Sequence, residues 1–231
     1  MRKFFVAVSL LIGLYGINCS AADTQLRQVI DGAEYEDILL RLEAFHKTVT
    51  TLSAQFKQVK IIVPFNDTEE ATGSFKLQKP DKFTWEFVSP ERQKVLVKDN
   101  NGYVINPELQ QVQIFLVEED NYITYLLAGI STPISEYYVD FNITCFRGTD
   151  AEQPVYRYEM IPKKEDLKNY IQKCELTFSE ESLLPVSAKL IEASGDITLI
   201  TFSGMVVGQP IDETVFSVVI PPDYEVLDYR Q

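Results

Sequence analysis

The chain has 231 residues, of which 34 are acidic and 21 are basic, so its formal net charge at pH 7 is −13. Without residues 1–22, which hold two basic residues and no acidic one, 19 basic and 34 acidic residues remain, a net charge of −15. This charge argues against binding to nucleic acid or to an anionic bilayer, because both need a basic surface.

The first 22 residues have the pattern of a secretory signal. Arg2 and Lys3 precede the apolar residues 4–17, and residues 20–22 are small, as a signal peptidase requires. Cys19 offers the alternative of a lipidated N-terminus, but Asn18 stands where a lipidation signal has a small residue. We therefore predict cleavage after Ala22 and no lipid. No later stretch approaches the roughly 18 apolar residues of a membrane helix.

An amphipathic helix is predicted over residues 35–52. Apolar residues recur there at intervals of three or four, and they are Ile38, Leu42, Phe45, Val49 and Leu52. His46, the chain's only histidine, lies beside this stripe, and we interpret it as structural. Residues 52–63 then begin a sheet, and residues 64–70 are predicted to turn it.

Residues 73–117 are predicted to form an antiparallel meander with one apolar face. Short runs alternate between apolar and polar residues, with Gly, Pro and Asn between them. Thr84 and Glu86 are predicted to face solvent. The predicted inward residues are Phe75, Leu77, Phe83, Trp85, Phe87, Val95, Val97, Tyr103 and Ile105, followed by Val112, Ile114 and Leu116.

A short apolar helix is predicted next, over residues 121–130. Tyr122, Leu126 and Ile130 recur at intervals of four, and Gly129 and Pro133 mark its end. Because the segment carries little charge, it must bury more than one side. A plug in a filled core and a lid over a cavity both satisfy that requirement.

The second half returns to strands, predicted at residues 137–146, 155–161, 171–178, 184–193 and 196–204. No repeat, linker or low-complexity segment interrupts the chain, so residues 23–231 are expected to form a single domain. Roughly ten strands with a few helices predict an α+β, mainly β fold with a strongly curved antiparallel sheet.

Cys145 and Cys174 remain after signal cleavage, and an even count in an exported protein is typical of a disulfide. However, another predicted strand lies between theirs. In a simple meander the two residues would be roughly 9 to 10 Å apart, beyond the reach of a disulfide. We therefore favour two buried thiols and keep the disulfide as the alternative.

The sequence offers no catalytic or metal-binding signature. The single histidine has no nucleophile motif near it, no histidine, cysteine and carboxylate residues cluster at metal-ligand spacing, and no glycine-rich phosphate loop is present. The Glu doublets at positions 69, 118 and 180 stand at predicted turns and are interpreted as solvated. We expect a protein that is not an enzyme and holds no metal or cofactor.

Residues 79–85 carry a family resemblance. Their sequence, Lys-Pro-Asp-Lys-Phe-Thr-Trp, resembles the R-P-x-x-F-x-W signature of the periplasmic outer-membrane lipoprotein carrier family (the LolA family). Other matching positions are Val97, Asp99, Tyr103, Asn106-Pro107, Gln111, Phe216, Pro221-Pro222, Val226 and Asp228. The resemblance spans most of the chain after residue 22, with one departure, since the family's arginine is Lys79 here.

The resemblance implies an unclosed half-barrel with a lid of short helices over an apolar cavity. By itself the apolar pattern is typical of a solid core. The family instead encloses a cavity, lined here by the inward residues from Phe75 to Ile105 and by Tyr122, Leu126 and Ile130 of the lid. The family's arginine hydrogen-bonds lid carbonyls and holds the empty cavity shut, so Lys79 is expected to be the lid latch.

The resemblance also implies a function. The protein would be a monomeric periplasmic carrier that takes triacylated lipoproteins from an inner-membrane ABC transporter and passes them to an acceptor at the outer membrane. The alternatives are a carrier or sensor of another amphiphile on the same fold, such as a glycolipid or a mislocalised lipoprotein, and a structural domain with a filled core.

Overall fold

The structure is a computed structural model that describes residues 28–117 and 132–230. The predicted signal segment and the whole of the predicted lid helix, including Tyr122, Leu126 and Ile130, lie outside these residues. No helix within the described ranges is both long and apolar enough to cross a membrane.

The described residues form one sheet of thirteen strands, in the order β1-β8-β9-β10-β11-β12-β2-β3-β4-β5-β6-β7-β13. The strands are β1 (Gln28–Ile30), β2 (Thr51–Ile62), β3 (Asp67–Gln78), β4 (Lys82–Ser89), β5 (Gln93–Lys98), β6 (Asn101–Asn106), β7 (Gln111–Leu116), β8 (Phe141–Asp150), β9 (Gln153–Pro162), β10 (Ile171–Ser179), β11 (Pro185–Glu192), β12 (Ile197–Val207) and β13 (Glu225–Asp228). Because β1 and β13 end the series unpaired with each other, the sheet is unclosed. The predicted mainly β class with a curved, unclosed sheet is confirmed. One pairing differs from the prediction, since β13 runs parallel to β7.

The first helix, α1 (Gly32–Thr48), begins and ends earlier than predicted. Val49 and Leu52 continue the helical spacing in sequence, but Leu52 lies in β2 and pairs with Leu77 of β3. Val49 and Leu52 are nevertheless buried. Strand pairing therefore overrides the helical period. A residue in a strand can bury its apolar side chain in the core as well as a helical residue can.

Other predicted boundaries also change. The predicted strand at 137–146 is a 3₁₀ helix, Ile134–Val139, followed by β8 from Phe141. The turn predicted at 64–70 is shorter, with a 3₁₀ turn over Val63–Phe65 and β3 beginning at Asp67. Between β9 and β10, which were predicted as strands without a helix between them, Glu165–Lys168 forms a single helical turn.

The outer face of β4 and β5 is covered by the segment that follows β12. This segment contains a 3₁₀ helix, Glu213–Phe216, in which Phe216 is fully buried. Lys94 Nζ donates to the carbonyl oxygen of Val215 at 2.7 Å. Beneath the segment Thr84 pairs with Leu96 across the two strands, and Thr84 is only 1 % exposed. The prediction that Thr84 faces solvent is therefore wrong, because a distant part of the chain covers it.

The prediction of two buried thiols is confirmed. Cys145 in β8 and Cys174 in β10 are both free and buried, and β9 lies between their strands. Burial raises the pKa of each thiol to about 12. Both groups therefore stay protonated at neutral pH.

Candidate functional site: the apolar concave face

The sheet curves toward the face on which Trp85 and Phe202 lie. Trp85 is in β4 and Phe202 is in β12, three strands away in the sheet. In a flat sheet their backbones would be roughly 14 Å apart. Their ring centroids are nevertheless 6.3 Å apart. We call this side the concave face, and the opposite side the convex face.

Four aromatic side chains form the centre of the concave face, and we call them the aromatic cluster: Phe56, Phe75, Trp85 and Phe202. The Trp85 ring centroid lies 5.0 Å from that of Phe56 and 5.3 Å from that of Phe75. Gly73 lies opposite Phe56 across β2 and β3, and a Cβ atom there would be 2.7 Å from the Phe56 ring. The missing side chain at Gly73 therefore lets the ring lie flat over β3.

Most of the predicted cavity residues meet on this face. They share burial in one continuous apolar cluster, and they are Phe75, Leu77, Phe83, Trp85, Val95 and Val97. Phe87 is partly buried against the same cluster, with its ring edge-on to Phe56 at 5.2 Å. The alternation in β3, β4 and β5 thus identified one face of the sheet.

Tyr103 and Ile105, also predicted to line the cavity, lie on the convex face instead. Tyr103 pairs with Leu96 and Ile105 pairs with Lys94, whereas Val104 pairs with the inward Val95. Directly opposed residues of paired strands point to the same face. The turn between β5 and β6 consists of only two residues, which fixes the pairing register. In this register the inward residues of β5 have odd numbers, and the residues that they pair with in β6 have even numbers.

The same register carries into β7. Val112 and Ile114 pair with Ile105 and Tyr103 on the convex face, while Phe115 turns inward opposite Gly102. The prediction that Val112, Ile114 and Leu116 continue the inward set is therefore wrong. Their apolar character serves the convex side, where Val112 and Ile114 are buried.

Sequence reasoning missed several residues of the concave face. Phe56 and Phe202 belong to the aromatic cluster, and Val104 and Phe115 complete the face in β6 and β7. The alternation of Leu52, Ala54 and Phe56 in β2 carries the same signal as the meander and could have identified Phe56. The register change after β5 has no such signal in the apolar pattern alone.

Helix α1 covers the concave face. Ile38 and Leu42 of the helix belong to the same buried cluster as the aromatic residues of the sheet. The Tyr35 hydroxyl is hydrogen-bonded to the Tyr138 hydroxyl, which joins the start of the helix to Ile134–Val139. A helix and a 3₁₀ helix thus lie over the sheet among the described residues.

Lys79 fastens the other end of α1. Its Nζ donates to the His46 carbonyl oxygen at 2.7 Å and lies 2.9 Å from His46 Nε2. Because an ammonium group can only donate, His46 Nε2 is the acceptor in this arrangement. Burial lowers the pKa of Lys79.

The Lys79 contact satisfies a carbonyl in the last turn of the helix, where no intrahelical donor is available. The backbone N–H of Lys79 also donates to the carbonyl oxygen of Thr50 at 2.8 Å, just beyond the helix. The described partner of Lys79 is therefore α1. The predicted lid helix at 121–130, the expected target of the latch, lies outside the described residues.

The fold and this face define an open, curved β-sheet protein whose apolar concave side is covered by a helix. The family model described as "Outer membrane lipoprotein carrier protein LolA" matches residues 47–219, and the chain belongs to this family.

Curated relatives agree with this assignment. The chain is 29 % identical over 191 residues to the outer-membrane lipoprotein carrier protein of Chromohalobacter salexigens, covering 81 % of this chain and 85 % of the relative. It is 25 % identical over 192 residues to the protein of the same name from Methylococcus capsulatus, covering 81 % and 86 %.

Solved structures share the fold at low identity. An uncharacterised conserved protein from Thermus thermophilus superposes with a TM-score of 0.54 at 12 % identity, covering 84 % of this chain and 98 % of that one. MucB superposes with a TM-score of 0.50 at 14 % identity, covering 85 % and 66 %.

Proposed function

We propose that this protein is a periplasmic carrier of triacylated lipoproteins, which holds their acyl chains against the concave face. Membership in the LolA family and the names of the curated relatives support the class of cargo. The observation that carries the proposal is the aromatic cluster, which lies in a continuous apolar surface under a helix.

The cargo poses a large solvation problem. Three acyl chains of about 15 methylenes each, at about 0.8 kcal/mol per methylene, would cost roughly 35 kcal/mol in water. Lipoproteins therefore cross an aqueous compartment only if the chains stay covered. Phe56, Phe75, Trp85 and Phe202 offer a surface on which alkyl chains can lie once α1 moves aside.

The polar contacts of the cover contribute little, so most of the cost of moving it is the exposure of apolar side chains such as Ile38 and Leu42. The polar contacts that join α1 to the rest of the protein include the Lys79 contacts to His46, the Tyr35–Tyr138 hydrogen bond and the ion pair between Glu34 and Arg147. Each such bond contributes on the order of 1 kcal/mol. In this proposal an inner-membrane ABC transporter drives loading, and an acceptor at the outer membrane receives the cargo.

Export through the signal in residues 1–22 would deliver the carrier to the periplasm, where it acts as a monomer. The strongly acidic chain fits this role, because repulsion from anionic lipid headgroups keeps a shuttle off the membrane surface.

The test uses inner membranes that hold a labelled lipoprotein and their releasing transporter. Incubation with the carrier and ATP should move the label into the soluble fraction, bound to the carrier. Phe83→Glu should abolish this transfer, because Phe83 is 9 % exposed at the edge of the cluster and a carboxylate there meets the alkyl chains.

Val88→Glu is the matched control. Val88 lies in the same strand but is 57 % exposed, so the same added charge should leave transfer unchanged. Equal transfer by folded Phe83→Glu and wild-type protein would contradict the role of the concave face. Mass spectrometry of the lipids that copurify with the carrier would reveal a different amphiphile as the cargo.

A further inference from the structure

The indole N–H of Trp85 is a buried donor for which the described residues provide no acceptor. Trp85 is only 6 % exposed, and its Nε1 atom has no hydrogen-bond partner among the residues that the structure describes. The surrounding rings of Phe56, Phe75 and Phe202 offer no oxygen or nitrogen. Buried polar groups are nearly always satisfied, so an unsatisfied donor at the centre of an apolar face requires an explanation.

We propose that the Trp85 N–H is the polar recognition point of the concave face, and that it donates a hydrogen bond to the carbonyl oxygen of an acyl ester or amide. This inference rests on the proposed function and adds to it a specificity for the head of the acyl chain. The alkyl chain then lies on the neighbouring phenylalanine rings.

The surroundings select this ligand chemistry. A lone donor requires an acceptor, and a neutral carbonyl tolerates burial among apolar rings far better than a carboxylate or phosphate does. An acyl chain carries such a carbonyl where it joins its backbone. An alkyl ether has the same length but lacks the carbonyl. Its ether oxygen is a weaker acceptor at a different position, so it pairs with the donor less well, and sites that hydrogen-bond a ligand discriminate against analogues without the partner group.

The hydrogen bond would also fix how deeply the chains enter. Apolar contacts are non-directional, so a chain on Phe56 and Phe202 could slide along the sheet. A carbonyl bound at Trp85 sets one position along the chain. The described residues leave the donor unsatisfied, and ligand binding removes that penalty.

The chain has one tryptophan, so the indole N–H gives a single cross-peak in a ¹H–¹⁵N spectrum. The probes are a short-chain diacylglycerol and the dialkyl ether of equal chain length. We expect the ester to move the indole proton downfield and to slow its exchange with water, and we expect the ether to have a much smaller effect on both. Wild-type protein should bind the ester about threefold to tenfold more tightly than the ether.

Trp85→Phe should abolish this preference while it retains an aromatic ring at the position. Phe56→Leu is the control, since it changes the apolar contact but keeps the donor. This variant should weaken the binding of both lipids equally and preserve the preference for the ester. The wild-type spectrum needs no variant, so the test stands even if a substitution impairs folding.

The possible failures are distinguishable. If both lipids bind wild-type protein equally and the indole resonance does not respond, the inference at Trp85 is wrong and the proposed carrier function stands. An indole proton that is already slow to exchange and insensitive to the ester would also overturn it, because a water molecule would then satisfy the donor. If neither lipid binds, both proposals fall.

Discussion

Substitution of Lys79 tests whether the cover of the concave face is held by a local fastening. Lys79→Met keeps most of the apolar stem and removes the ammonium group, which donates to the His46 carbonyl at 2.7 Å. The carbonyl in the last turn of α1 then loses its donor. Lys79→Arg keeps a cation and offers five donors in a rigid fork instead of three on a flexible stem.

The expected magnitude follows from the geometry. A hydrogen bond from a charged donor contributes up to about 3 kcal/mol, but partial exposure and screening reduce that value. The cation near a helix C-terminus adds a few tenths of a kcal/mol. We expect Lys79→Met to lower the free energy of opening of α1 by about 1 to 2 kcal/mol, which makes amide exchange about fivefold to thirtyfold faster when opening and closing are fast relative to exchange.

Hydrogen exchange resolved along α1 and residues 121–134 measures this effect. The methionine variant should accelerate exchange in the last turn of the helix, and the arginine variant should slow it. Lys82→Met is the matched control, because Lys82 pairs with Glu213 at 2.8 Å rather than with α1. It should leave exchange in α1 unchanged.

Equal exchange in wild-type, methionine and arginine forms would refute the fastening role. The same change in α1 from Lys82→Met would show that any lost lysine loosens the protein generally. If only α1 responds and residues 121–134 do not, Lys79 fastens the helix but is not the latch of the predicted lid.

Three further predictions concern the thiols, a close contact and the N-terminus. Cys145 and Cys174 should resist alkylation at neutral pH in the native state. Burial raises the pKa of both thiols to about 12, so their contribution to stability should be complete below the ordinary thiol pKa and be lost as the pH rises toward 12. Denaturant unfolding as a function of pH measures this loss. Gly102→Ala should destabilise the fold by about 1 to 3 kcal/mol, since an added Cβ would lie 2.3 Å from the facing phenylalanine ring. Gly148→Ala should be nearly neutral, because no atom lies within 4 Å of the added Cβ. Thermal unfolding of the two variants compares them. Intact mass of the periplasmic protein should correspond to a chain that starts at Asp23 without lipid, and a lipid at the preceding cysteine would contradict the shuttle.

The alternation of apolar and polar residues determined the strands of the first half. Phe75, Trp85 and Val95 were identified as one face because a strand's side chains alternate with period two, which is a local property. Lys79-Pro80 and the residues after it also identified the family. The pattern could not separate a filled core from a cavity, since both require the same apolar residues.

The tertiary structure alone decided which face the later residues occupy. Tyr103 lies on the convex face because the two-residue turn after Lys98 sets the pairing register, and one step of register exchanges the faces of a whole strand. Thr84 is buried because Phe216, more than a hundred residues later, lies in the segment over it. Burial depends on what covers a side chain, and that cover comes from parts of the chain that no local period connects.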